Sequence, residues 1–195
     1  MRIKIWSLIS KSIPHIANKK PHYPKSKFLH NKFEPKLPVM KTAIFVDVQN
    51  IYYTTRDIFK RSFNYKRFWN QVESNNEIIL ANAYAVDKGD EKQKKFQYAL
   101  QTIGFNVKLK PYISRADGSA KGDWDVGITI DILDSAEKAE KIVLLSGDGD
   151  FDLLLQKVIN KHGCIVHLYG VKELTSNSLI ESASKFFPIS NNFLI

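Results

Sequence analysis

Along residues 41–195, short apolar runs rich in β-branched residues alternate with longer stretches in which apolar positions recur every three or four residues. Thr42–Val48 reads as a strand, and 51–73 as helix in two pieces with a break near Ser62-Phe63-Asn64. Ile78–Val86 is a second strand, its β propensity diluted by alanines. Asp90–Ile103 is a helix closed by Gly104, with Phe96, Leu100 and Ile103 on one face. A third strand, Phe105–Tyr112, runs into a polar loop over Ile113–Gly122. Trp124–Leu133 is a helix that Asp123 is placed to cap, and Ile142–Leu145 a fourth strand. Phe151–His162 is a helix ended by Gly163, its left-handed terminator. Cys164–Tyr169, a short helix over Leu174–Ser182 and a last strand at Phe186–Ile189 complete the series.

Strands separated by helices of about ten residues or more predict βαβ crossovers. The expected fold is α/β, with a mostly parallel sheet covered on both faces. In such sheets ligands lie outside the carboxyl ends of the strands, at the switch point in strand order. The acids of this chain fall there. Asp47 ends the first strand, and Asp148 follows the fourth in Ser146-Gly147-Asp148-Gly149-Asp150-Phe151-Asp152. Asp150 begins the next helix, and Asp125 sits in the first turn of the helix after the polar loop. Asn50, three residues after Asp47, is placed to orient a carboxylate or a water. Four acids on one rim suit one or two hard divalent cations such as Mg²⁺, which take oxygen ligands. Such ions neutralise charge on a phosphodiester and activate water for in-line attack.

Taken singly, each acid also has a plain structural role open to it. Asp47 can close a turn, Asp125 can complement a helix N-terminus, and Asp148 and Asp150 can cap the helix near Phe151. Asp123 reads first as a cap and Asp152 as a solvated first-turn acid; either stays a candidate for the cluster. Asp131 and Asp134 read as solvent-facing or capping. A calcium loop is excluded, because Leu153 and Ile159 stand where the loop glycine and glutamate belong. Phosphate-loop and dinucleotide-binding glycine patterns are absent, as is the nucleophile elbow around Ser146, whose hydroxyl is better suited to bonding a carboxylate or phosphate. His162 and His167 occupy a helix end and a mid-strand position, neither that of an evident general base.

Charge sharpens the division of the chain. The net charge is +9, yet residues 1–41 hold ten Lys and Arg against one acid, leaving 19 of each sign in 42–195. The excess therefore belongs to a basic N-terminal segment over 1–40, for which a disordered arm is the expectation. A basic transit segment and an over-extended start before Met40 are the alternatives. A cytoplasmic protein is expected, with no membrane association, because no apolar run approaches the ~18–20 residues that span a bilayer. A lone cysteine, Cys164, excludes an internal disulfide and reads as a buried structural thiol. Lys121, in the glycine-flexed loop before Asp125, is either a phosphate ligand or a solvated lysine. Arg56, Lys60, Arg61, Lys66 and Arg67 interleave with Phe59, Phe63, Tyr65, Phe68 and Trp69. That stretch is either a platform for single-stranded RNA or, as favoured here, an amphipathic core face.

Three motifs together resemble the NYN domain, a branch of the PIN-like nucleases, and within it the LabA-like group. They are Phe45-Val46-Asp47-Val48-Gln49-Asn50, Lys121-Gly122-Asp123-Trp124-Asp125-Val126-Gly127 and Leu145-Ser146-Gly147-Asp148-Gly149-Asp150-Phe151. Gly163-Cys164-Ile165-Val166, Ser178-Leu179 and Phe186-Phe187 look like the family's closing elements. The resemblance covers about residues 41–190. It implies a PIN-like three-layer α/β/α sandwich and Mg²⁺- or Mn²⁺-dependent cleavage of RNA. By motif position, Asp47, Asp125, Asp148 and Asp150 form its acidic metal-binding and catalytic set, Asn50 and Ser146 support it, and Lys121 meets substrate. RNA is the expected partner, and a homodimer a candidate assembly. Leu153 departs from the family, where proline is common, and the Lys121 spacing makes Asp123 a rival to Asp125. The competing expectation is a non-catalytic RNA- or protein-binding regulator on the same fold. A small-ester phosphohydrolase is a third; Asp47-Val48-Gln49 lacks the Asp-x-Asp pair of its haloacid-dehalogenase version.

Overall fold

A computed structural model describes residues 39–87, 89–111, 113–114, 120–121 and 123–195, the two short pairs by backbone alone. Nearly all of the basic N-terminal segment, and most of the polar loop, lie outside the described residues. The chain begins with β1 (Met40–Asp47), α1 (Val48–Phe59) and α2 (Tyr65–Glu73), followed by β2 (Asn76–Asp87), α3 (Glu91–Ile103) and β3 (Asn106–Pro111). A two-stranded antiparallel ribbon, β4 (Ile113–Ser114) and β5 (Ala120–Lys121), leads to α4 (Asp125–Ser135) and β6 (Lys141–Leu145). A 3-10 turn (Gly149–Phe151) opens α5 (Asp152–His162), and β7 (Ile165–Gly170), α6 (Asn177–Ser182) and β8 (Lys185–Pro188) close the fold.

The main sheet has six strands in the order β3-β2-β1-β6-β7-β8, every neighbouring pair parallel. The chain winds outward from β1 through β2 to β3, then returns to the other side of β1 for β6, β7 and β8. The switch point thus lies between β1 and β6.

Both faces are buried, which is why the inner strands read as unbroken apolar runs. Ile44, Val46, Val143 and Leu145 point to one face and pack with Ile51, Phe68 and Leu100 of α1, α2 and α3. Ala43, Phe45, Ile142 and Leu144 point to the other, against Ile128, Leu155 and Leu179 of α4, α5 and α6. The result is an α/β/α sandwich of the expected class.

Phe63, Tyr65, Phe68 and Trp69 are buried and meet edge-on or tilted, so the aromatics of that stretch are core rather than an RNA platform. Its cations are outside: Arg61 donates to the Ile195 and Leu194 carbonyls, and Lys60 to the Asp57 carbonyl. Cys164 is buried and donates to the Ala136 and Ala139 carbonyls. Asp131 is not solvent-facing. It accepts hydrogen bonds from Asn82, Tyr84 and Lys108, a polar bridge between α4 and the outer strands. The helical period of α4 turns Asp131 inward; the cation it meets comes from β3, beyond the reach of a local reading.

Candidate metal centre

The site grows from the β1–β6 register. Val46 pairs with Leu145, so Asp47 and Ser146 leave the sheet side by side. The Ser146 hydroxyl lies 3.4 Å from Asp47 Oδ2 and accepts the Asp148 N–H at 3.2 Å. Asn50 completes the tie. Its N–H donates to Asp47 Oδ1 at 3.1 Å, capping α1, while its Oδ1 accepts the Gly147 N–H at 2.9 Å. Two neighbouring strand ends are thereby clamped by one hydroxyl and one amide. Gly147 is required there by close approach: a Cβ would lie 2.6 Å from the Leu174 carbonyl oxygen.

Three carboxylates converge beyond this clamp. Asp125, Asp148 and Asp150 each offer an oxygen, and these atoms lie within 4.8 Å of one another. Asp148 also accepts the Asp150 N–H at 3.0 Å, so its capping role and its place in the cluster coexist. Asp125 sits in the first turn of α4, after Trp124, whose indole N–H donates to the Ala85 carbonyl at 2.9 Å. Asp123 does not cap that helix: Trp124 holds the N-cap position with no side-chain bond, and Asp123 is exposed.

The electrostatics match the crowding. Burial pushes the Asp47 carboxyl up to about 6, and the charges of Asp125 and Asp148 push the same way; the Asn50 N–H and the Ser146 hydroxyl pull against them. Asp125 is raised by burial, then by Asp148, Asp123 and Asp150, with Lys110 opposing. Asp47 lies close enough to Asp148 and Asp125 to feel both, though it is outside the tight trio. Among the described residues, no lysine or arginine forms an ion pair with any of the four. An all-oxygen, multiply anionic set fits a hard divalent ion.

Other expected residues stand apart. Lys121 pairs through its backbone with Ile113 in the ribbon, and its side chain lies outside the described ones. Asp152 begins α5 and does not belong to the trio. His167 packs against Phe187 at 4.9 Å, and burial, with Lys141 and Lys185 nearby, lowers it to about 4; it stays neutral.

One residue near the site escaped sequence reasoning, and a second was read only as core. Lys110 donates to the Asp123 carbonyl and stands 4.4 Å from the Trp124 ring centroid, the cation nearest in effect to Asp125. The two-residue period of Lys108 and Lys110 in β3 was the available signal. Tyr65, buried in the core, is raised by burial and by the Asp47 charge.

Known proteins place this geometry in a lineage. The chain is 32% identical over 126 residues to the low amplitude and bright protein LabA of Synechococcus elongatus (strain ATCC 33912 / PCC 7942 / FACHB-805). That match covers 60% of this chain and 66% of LabA, so this chain spans just under two thirds of its relative's length. A crystal structure of a protein of unknown function from Vibrio parahaemolyticus RIMD 2210633 is similar with a TM-score of 0.77 at 46% identity. It covers 80% of this chain and 97% of that one. Residues 41–190, which hold the whole acid-bearing rim, match the NYN domain model, and the chain therefore belongs to the NYN domain family, in its LabA-like group.

Proposed function

We propose that this protein is a divalent-metal-dependent ribonuclease that hydrolyses RNA phosphodiester bonds, with cytoplasmic RNA as its substrate. The observation that carries the reading is the convergence of the Asp125, Asp148 and Asp150 oxygens within 4.8 Å at the sheet's switch point. NYN domains are generally nucleases, which supports a hydrolase. A pure RNA binder gains nothing from clustering anions beside a polyanion.

Asp125, Asp148 and Asp150 would hold Mg²⁺ or Mn²⁺, with Asp47 at the edge of the set. When bound, the ion neutralises charge on the phosphodiester and lowers the pKa of water at the site. Asp47, held near pH 6, is suited to take a proton from an attacking water near neutral pH. Asn50 and Ser146 fix the two strand ends so that the carboxylates need not reorganise. Lys121, on the ribbon leading into α4, is the candidate for a substrate phosphate.

The test is to incubate the full chain with end-labelled single-stranded and structured RNA, with Mn²⁺, Mg²⁺ or EDTA, beside Asp148→Asn. Cleavage that needs the metal and is lost in Asp148→Asn is expected. Cleavage indifferent to both would refute the mechanism, and RNA binding without cleavage would favour the regulator.

A further inference from the structure

Beside the first turn of α1, the helix that Asp47 caps, lies a cavity of about 680 Å³ that the proposed mechanism does not use. Val48 and Gln49, the two residues after Asp47, form its near wall. Tyr65, whose ionisation feels the Asp47 charge, forms part of its floor. Tyr52 and Tyr53 of α1 and Phe96 of α3 supply further aromatic surface, and the ends of β2 at Ala85 and Val86 close the back. Its volume lies within the roughly 300–1,000 Å³ of ligand pockets.

We propose that this cavity is a subsite for one unstacked nucleobase of a single-stranded RNA, that of a nucleotide adjoining the phosphodiester held at the acid cluster. The inference rests on the ribonuclease reading for its substrate class. Three observations select a nucleobase. The first is the exposure of aromatic rings: Tyr52 is 48% and Tyr53 55% exposed, both within the first two turns of the helix that Asp47 caps. Exposed aromatics beside an unfilled cavity are what base stacking needs. The second is polarity. Gln49 and Gln97 line the cavity, and their side chains form no hydrogen bond among the described residues; a carboxamide pairs a donor with an acceptor, as a base edge does. The third is charge. Lys92 lines the cavity alongside Asp90, and Arg56 stands 5.6 Å from the ring centroid of Tyr52, itself a lining residue, so two cations are at hand for a flanking phosphate. Arg56 engages Tyr52, which leaves Tyr53 as the stacking ring. A duplex cannot present a base in this way, so the subsite selects single strands.

The experiment measures binding of fluorescein-labelled oligouridine to the full chain in EDTA by anisotropy, with abasic positions walked along the strand. Variants are Tyr53→Ala, Tyr53→Leu and, as control, Tyr98→Ala, a residue 72% exposed on α3 outside the cavity. Tyr53→Ala is expected to weaken binding about 5- to 100-fold, the range of one lost base stack. Tyr53→Leu, which keeps the apolar volume, should lose most of the same factor, and Tyr98→Ala should bind like the wild type. One abasic position should weaken the wild type by a similar factor and add nothing in Tyr53→Ala. Wild-type affinity in Tyr53→Ala, or an abasic penalty that persists in it, overturns the subsite. Mn²⁺-dependent cleavage scored on the same proteins separates the two readings. Cleavage with an unaltered Tyr53→Ala affinity leaves the nuclease and removes the subsite; a closed binding cycle without cleavage does the reverse.

Discussion

Asp47 carries an energetic cost that can be measured apart from any catalysis. Its carboxyl is held near 6 against an ordinary 3.8, first because it is buried and then because Asp125 and Asp148 are close. The folded state therefore binds a proton more tightly than the unfolded chain does. Stability from this group is present in full below pH 4 and is lost as pH rises through 6. At pH 8 the shift of roughly two units corresponds to about 3 kcal/mol, at about 1.4 kcal/mol per unit. Asp47→Asn removes the charge, keeps an acceptor for the Asn50 N–H, and keeps the volume. In EDTA at pH 8 it should raise stability by up to about 3 kcal/mol, or about 6–12 °C in Tm for a domain of this size.

The assay is urea unfolding of both proteins from pH 4 to 8, in EDTA and in millimolar MnCl₂. The gain should shrink as pH falls through 6 and vanish near 4. His167 titrates in the opposite sense, since its lowered value removes stability as pH falls; taking the difference between the two proteins cancels it. Manganese should stabilise the wild type far more than Asp47→Asn. An Asp47→Asn protein that is no more stable than the wild type in EDTA at pH 8, yet gains as much from manganese, would refute the account.

Other expectations are as direct. Asp131→Asn should cost about 1–3 kcal/mol, because Lys108 and Tyr84 lose their charged acceptor, while the manganese-induced rise in Tm stays that of the wild type. Gly147→Ala forces a Cβ to within 2.6 Å of the Leu174 carbonyl oxygen; it should lose about 1–3 kcal/mol in urea unfolding and weaken the manganese response as the Asp148 loop shifts. Cys164 should resist a thiol reagent in the folded protein and react at once in 6 M urea, since it is buried with its thiol raised. Neutralising Lys19, Lys20, Lys25 and Lys27 to glutamine should flatten the salt dependence of RNA binding by up to about 3 in log–log slope. An unchanged slope would show that these lysines make no phosphate contacts.

Much of the fold was legible because both of its signals are local. The apolar runs of β1 and β6 are unbroken since each faces helices on both sides, and Gly104 and Gly163 end their helices at positive φ. The placement of Asp47 and Asp148 on one rim followed from parallel topology alone. What stayed hidden depends on pairs far apart in the chain. Asp131 looked like a surface acid until Lys108 and Tyr84 arrived from β3 and β2. Tyr52 and Tyr53 gave no signal either, because adjacent aromatics at a helix start are compatible with core, and only α3 packing alongside leaves them open. The basic-aromatic stretch was read correctly as a core face: its aromatics complete the core, while its exposed cations carry only the appearance of a binding surface.

The same geometry explains why the acids cluster where they do. A parallel sheet with a switch point leaves a crevice between β1 and β6 that no crossover helix can fill. Side chains at that crevice are half-buried without being packed, so a carboxylate placed there is raised but still solvated enough to ionise. Burial deeper in the sheet would neutralise Asp47 outright; a position further along α1 would leave it an ordinary surface acid. Asn50 and Ser146 hold it between those limits by bonding its ionised form, at 3.1 Å and 3.4 Å, while its anionic neighbours oppose them. Removing either partner should therefore raise Asp47 further, and removing either neighbour should lower it. Protonating Asp47 as pH falls relieves the crowded charge of such a rim, and on the proposed reading a divalent cation would relieve it at neutral pH.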